Sequence, residues 1–181
     1  MDEMTKLDLN DFKLIGASIE EYPIIQNMGR FYVYDMSQFF SHDADWKMPE
    51  DGLYECIDFK KYWQTDNTWP FIIRYQDQLA GFIIVDKKGS DVTIDFNMAQ
   101  FFILRRFKSH GVGSAMAQRC FDQFKGVWEV MVLPNNAGAY QFWQKTISRY
   151  TQGKYQEYQR VVKHLDNSEK KIFRFSSKPL S

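Results

Sequence analysis

Cysteine is scarce in this chain of 181 residues: there are two, Cys56 and Cys120, far apart and without a CxxC partner. That argues against a disulfide framework or a zinc site. His42, His110 and His164 are scattered without metal-ligand spacing, so no metal is expected. No Cys-His or Ser-His-Asp order supports hydrolytic chemistry. An excess of one charge is also missing. Basic and acidic residues balance at 23 each, so no global field draws in nucleic acid or an anionic membrane. Residues 1–10 are polar, without the apolar region of a secretory signal, and no apolar run is long enough to span a bilayer. The expectation is a soluble, cytoplasmic protein. Repeats, low-complexity stretches and linkers are absent, which predicts one domain over residues 1–181.

What the chain has in plenty is aromatic surface, with 16 Phe, 10 Tyr and 5 Trp. These either fill a core or line a pocket. The most informative stretch is residues 101–124, FFILRRFKSHGVGSAMAQRCFDQF. It reads as an apolar strand, then a short basic loop with Gly111 and Gly113, then an amphipathic helix with Val112, Met116, Cys120, Phe121 and Phe124 on one face. A strand feeding a glycine loop that opens a helix can hold phosphate. The first N–H groups of the helix are unpaired, the macrodipole adds positive charge, and glycine admits close approach. Arg105, Arg106 and Lys108 add full charges. The same letters also describe a tight turn into a helix. No Gly-Lys-Ser/Thr follows, and the third glycine of a dinucleotide fingerprint is missing.

Around this stretch, residues 12–18 read as a first strand. Residues 20–40 read as a helix with Pro23 in its first turn and Gly29 inside it. Residues 42–52 form an acidic loop, with Asp43, Asp45, Glu50 and Asp51 around Trp46 and Met48, which either attracts an amine or is solvated surface. Residues 54–64 suggest a short helix. The runs 71–75 and 79–85 form a hairpin about Gln76-Asp77-Gln78, and a turn at 87–90 leads into a third strand, 92–104. That strand is long enough to predict a bulge near residues 97–100. Residues 127–133 read as a buried strand. After a crossover helix it should lie parallel to the strand ending at Leu104. Pro134 stops it, and Asn135 or Asn136 caps a helix running to about Tyr150. Residues 153–163 and 171–176 close as an antiparallel pair around Asp166-Asn167.

This order of elements, together with Phe101-Phe102-Ile103-Leu104, Lys108-Ser109-His110-Gly111-Val112-Gly113 and Asn136-Ala137-Gly138-Ala139-Tyr140-Gln141-Phe142-Trp143, resembles the GNAT N-acetyltransferase superfamily. The second segment is similar to the family's Gln/Arg-x-x-Gly-x-Gly/Ala loop, with Lys108 in the first place. The third is similar to its Asn-x-x-Ala-x-x-Phe-Tyr pattern, with Trp143 in the last. The resemblance implies an α/β (α+β) domain with a mixed, mostly antiparallel sheet, helices on both faces and a splayed parallel strand pair. It implies acetyl-CoA as cofactor. The backbone of Phe102, Ile103 and Leu104 would pair with the pantetheine arm. The N–H groups of Lys108, Ser109, His110, Gly111, Val112 and Gly113, with Ser114 beside them, would hold the pyrophosphate, and Asn136 and Trp143 would lie near the thioester end.

The implied reaction is attack by a primary amine, on a small molecule or a peptide, on the acetyl carbonyl. An alkylammonium with a pKa of about 10.4 must lose a proton first. Family members often place Glu where this chain has Gln100, which orients but does not act as a base. Trp143 replaces a Tyr that often serves as acid, and Tyr140, one turn earlier, is the substitute. Carboxylate candidates are Glu129, Asp95 and Asp35, each of which is otherwise a solvating residue. Tyr140, Gln100 and Glu129 are the catalytic candidates carried forward. The same departures fit an alternative, a non-catalytic acyl-CoA-binding sensor on this fold. A homodimer is left open.

Overall fold

The computed structural model describes residues 7–40, 47–54 and 56–177. Seven strands make one sheet in the order β1-β2-β3-β4-β5-β7-β6. The meander expected from the two turns is present as β2 (Trp69–Tyr75), β3 (Gln78–Asp86) and β4 (Phe96–Ile103), with β1 (Phe12–Gly16) added antiparallel to β2. β5 (Val127–Val132) lies parallel to β4, as a crossover through α3 (Val112–Gln123) demands. β7 (Ser168–Ser176) inserts between β5 and β6 (Tyr155–Val162), antiparallel to both.

Strand alternation sends side chains to two separate cores. On one face Ile83, Val85, Met98, Trp128, Val130, Phe173 and Phe175 pack under Met116, Cys120 and Phe121 of α3 and under Trp143 and Ile147 of α4 (Ala137–Thr151). Phe121 meets Trp128 and Phe175 edge-on, each at 4.9 Å between ring centroids, so the aromatics of this layer fill core. On the other face Ile72, Phe82, Ile84 and Phe102 pack under Ile25 and Met28 of α1 (Tyr22–Ser37) and under Phe59 and Tyr62, the latter on the single-turn α2 (Lys61–Gln64).

Gly29 on α1 is a contact point: a Cβ there would stand 2.3 Å from Phe59 Cε2, and Phe59 is fully buried. Gly29→Ala therefore sets better helix propensity against overpacking. It should destabilise the protein by about 1–3 kcal/mol, read from denaturant midpoints. A gain in stability would mean that the Phe59 ring yields.

Three segments differ from the sequence expectation. The strand expected from residue 92 begins at Phe96, because Asp91 Oδ1 accepts from Thr93 N at 2.8 Å and turns the chain locally. The helix expected over 54–64 is only Lys61–Gln64 among the described residues, and α1 starts at Tyr22 after a 3-10 turn at Ile19–Glu21. The expected bulge is present. Ile84 faces Gln100 while Val85 faces Met98, which leaves Ala99 as the extra residue. The first part of the acidic loop, with His42, Asp43, Asp45 and Trp46, lies outside the described residues.

Candidate functional site

β4 and β5 pair at two rungs, Phe96 with Trp128 and Asn97 with Glu129, although β4 continues to Ile103 and β5 to Val132. Beyond Asn97 the facing edges part into a wedge. Leu104 N donates to Ala80 O at 2.8 Å, so Leu104 turns its backbone toward β3. In an antiparallel ladder alternate residues do the opposite, and Phe101 and Ile103 direct their N–H and C=O groups into the wedge. An extended ligand arm can add there as a strand.

The basic loop lies at the end of β4, where the wedge is open. Phe107 N and Lys108 N close a 3-10 turn on Leu104 O and Arg105 O, at 2.9 and 3.1 Å. The Lys108 N–H is therefore engaged, and its ammonium lies 5.9 Å from the Phe102 ring. Ser109 (φ 66°) and Gly111 (φ 78°) are left-handed on either side of His110, a conformation that curls backbone N–H groups into a concave nest. Ala115 N to Gly111 O, at 3.0 Å, is the first bond of α3, so Val112, Gly113 and Ser114 have no carbonyl one turn back. Val112 is buried at 1% exposure and contributes backbone only.

At Gly113 a Cβ would stand 3.1 Å from Phe142 Cε2 and 3.7 Å from Ile103 Cγ1, which places α3, α4 and β4 in contact around the loop. Ser114 Oγ lies 3.3 Å from Thr146 Oγ1 and 3.4 Å from Gln118 Nε2, and His110 Nδ1 lies 2.6 Å from Lys108 O. Arg105 and Lys108 reach Asp35 of α1 at 2.6 and 3.5 Å, so this candidate carboxylate offsets part of the loop's positive charge. The Arg106 guanidinium lies 5.7 Å from the Phe107 ring.

The remaining candidates separate. Asn136 caps α4, its Oδ1 accepting from Ala139 N at 2.9 Å, which leaves its Nδ2 group for a ligand. Trp143 is 6% exposed, against Phe101 at 4.8 Å and Phe142 at 4.9 Å. Tyr140 packs on Phe173 and donates to Glu157 Oε1 at 2.7 Å, a bond that raises its phenol pKa. It thus stands on the α3/α4 side of the sheet. Gln100 turns to the α1/α2 side and donates to Tyr62 OH at 2.9 Å. Asp95 Oδ2 accepts from Val127 N at 2.8 Å and fastens the start of β5.

Glu129 is fully buried. Its oxygens accept from Ser90 N at 2.6 Å, Ser90 Oγ at 2.9 Å and Tyr158 OH at 2.6 Å, and Arg174 Nη1 stands 3.5 Å away. It belongs to a row that sequence reading missed. Asp86 faces Asn97, Asn97 faces Glu129 and Glu129 faces Arg174 across four adjacent strands, all on the α1/α2 side. The row runs through the last rung before the wedge opens. Asp86 is 5% exposed and Asn97 4%. Asp86 Oδ1 accepts from both Asn97 Nδ2 and Lys88 N, each at 2.9 Å, while Asn97 Oδ1 is buried without a partner among the described residues. Burial pushes the Asp86 carboxyl above its ordinary range, against the pull of Asn97, Lys88 and Lys61. In the sequence the only sign was a carboxylate ending an apolar run, at Asp86.

Among the described residues no group of His, Cys, Asp and Glu could hold a metal, and no helix is long and apolar enough to cross a membrane. A family model described as the acetyltransferase (GNAT) family matches residues 32–147. No curated protein matches. Among solved structures, an acetyltransferase from Thermus thermophilus is similar with TM-score 0.62 and 11% identity, over 91% of this chain and 96% of that one. A putative acetyltransferase from Salmonella typhimurium, yncA, described with its cofactor acetyl-CoA, is similar with TM-score 0.60 and 10% identity, over 95% and 97%. The ribosomal-protein-S18-alanine N-acetyltransferase from Escherichia coli is similar with TM-score 0.57 and 10% identity, over 94% and 96%. At these identities the likeness is one of fold.

Proposed function

The chain belongs to the acetyltransferase (GNAT) family, and we propose that it is an acetyl-CoA-dependent N-acetyltransferase acting on a primary amine of a small molecule or peptide. The observation that carries this is the wedge. It has two free strand edges, closes at Asn97 and Glu129, and opens beside a basic nest at the start of α3.

The residues fit the cofactor's chemistry. The N–H groups of Ser109 to Ser114 and the side chains of Lys108 and Arg106 would hold the pyrophosphate, aided by the positive end of the α3 dipole. Phe101 and Ile103 would bond the pantetheine amides through their backbone, and Asn136 Nδ2 would add a donor at the start of α4. When bound, the cofactor supplies an activated acetyl group and a thiolate leaving group. The protein's part is to align the amine and manage its proton. Tyr140, bonded to Glu157 across the sheet from Gln100, would need to swing away to reach a leaving group.

The test is release of free thiol from acetyl-CoA in the presence of a broad panel of primary amines. Turnover that depends on the amine is expected. Binding of coenzyme A without turnover of any amine would instead favour the sensor reading, which Gln100 in place of a carboxylate already favours.

A further inference from the structure

Resting on the acetyl-transfer reading, we propose that Asp86 and Asn97 form the acceptor's ammonium subsite, with Asp86 the group that takes its first proton. Two observations converge on one place. Asn97 Oδ1 is buried and lacks a donor among the described residues, and Asn97 occupies the last β4–β5 rung, where an arm lying in the wedge must end. An orphaned buried acceptor is costly until a ligand or a water satisfies it, and an ammonium is a stronger donor than either a neutral ligand or water. Beside it, both donors to Asp86 fall on Oδ1, and no hydrogen bond reaches Oδ2 among the described residues. Two acceptors side by side, one of them anionic, suit the three N–H groups of a primary ammonium.

The surroundings favour charge capture followed by proton transfer. Burial raises the Asp86 carboxyl and makes it a stronger base, while the hydrogen bonds from Asn97 and Lys88 and the charges of Lys88 and Lys61 pull the other way. Among the described residues, Asn97 from β4, Tyr62 and Gln100 and, further along the row, Glu129 and Arg174 are polar groups on that side. Tyr62 already accepts from Gln100, which fixes a polar wall above the pair. In the transfer the N–C bond forms and the C–S bond breaks. Of the two protons that the ammonium loses, Asp86 takes the first and passes it to solvent, and the departing sulfur keeps the second.

The experiment measures thermal unfolding with coenzyme A present, titrating n-butylammonium chloride against equal sodium chloride. The unsubstituted protein should show an ammonium-specific upshift that fades on acidification as Asp86 is neutralised. Asp86→Asn should weaken the ammonium response about 10- to 100-fold, the worth of a charge-assisted bond, while keeping the full upshift from coenzyme A. Asn97→Leu, which leaves the carboxylate in place, should weaken it by a smaller factor. An ammonium response that is absent from the unsubstituted protein, flat with pH or unchanged in both variants overturns the subsite. Absence of the coenzyme A upshift itself would overturn the parent reading instead.

Stability against pH checks the burial of Asp86 separately. A carboxyl whose folded pKa is raised costs stability as pH rises from the unfolded value of about 3.9 through the folded one. Asp86→Asn, which cannot ionise there, should therefore gain stability relative to the parent as pH rises through that window, and an unchanged difference would show that burial does not raise the Asp86 carboxyl. The role of Asp86 is decided by the ammonium response: a variant that loses stability but keeps the full response would assign Asp86 to the scaffold and overturn the proposal.

Discussion

Gly113→Glu is expected to abolish coenzyme A binding and leave the protein folded. The Cβ would stand 3.1 Å from the edge of Phe142, a partly buried ring that can give by a few tenths of an ångström. A carboxylate in the first turn of α3 is favourable to the helix itself. Its effect falls on the ligand, because it places bulk and negative charge where phosphate oxygens would meet the N–H groups of Val112, Gly113 and Ser114. At 100 times its Kd a ligand adds about 2.7 kcal/mol to stability. The parent should show that gain as a thermal upshift, and the variant should show none. A retained upshift would place the phosphates elsewhere.

Glu129→Ala should lower stability by about 3–5 kcal/mol, the cost of removing one partner from a buried charge network. Ser90 N loses its acceptor, Ser90 Oγ and Tyr158 OH are left with each other at 3.3 Å, and among the described residues Arg174 keeps only Asp91 as a carboxylate partner, at 3.0 Å. For a chain of this size each kcal/mol moves Tm by about 2–4 °C. The same network holds the β3–β4 loop against β5, since a Cβ at Gly89 would lie 2.8 Å from Glu129 Oε2. Glu129→Gln, which keeps an acceptor in place, should lose less. Equal losses in the two variants would show that packing, rather than the donors around the carboxylate, sets the cost.

How much of this was legible beforehand depended on whether a signal was local. The hairpin about Gln76-Asp77-Gln78, the opening of α3 at Gly111 and a cap at Asn135 or Asn136 are short-range matters; all are present, the cap at Asn136 and Gly111 left-handed. The parallel pairing of β4 and β5 followed from the crossover rule. Residues 92–95 misled because Val92 and Ile94 alternate like a strand, while the Asp91 side chain bonds Thr93 and meets Arg160 and Arg174 from distant β6 and β7. The row Asp86-Asn97-Glu129-Arg174 could not be read from the sequence, because it exists only through register across four strands. The extra residue at Ala99 shifts that register between Gln100 and Asn97. Glu129 was legible as a carboxylate in an apolar strand, but not the donors that fill its lone pairs.

The central claim is that the β4–β5 wedge holds the acetyl-CoA arm with its reacting end at the Asn97 rung. A crystal structure with acetyl-CoA bound tests it most directly. The predicted result has the pyrophosphate on the Ser109 to Ser114 backbone, pantetheine amides paired with Phe101 and Ile103, and the thioester beside Asn97. A cofactor seated away from the wedge, or a wedge closed by β4–β5 hydrogen bonds beyond Asn97, would contradict it.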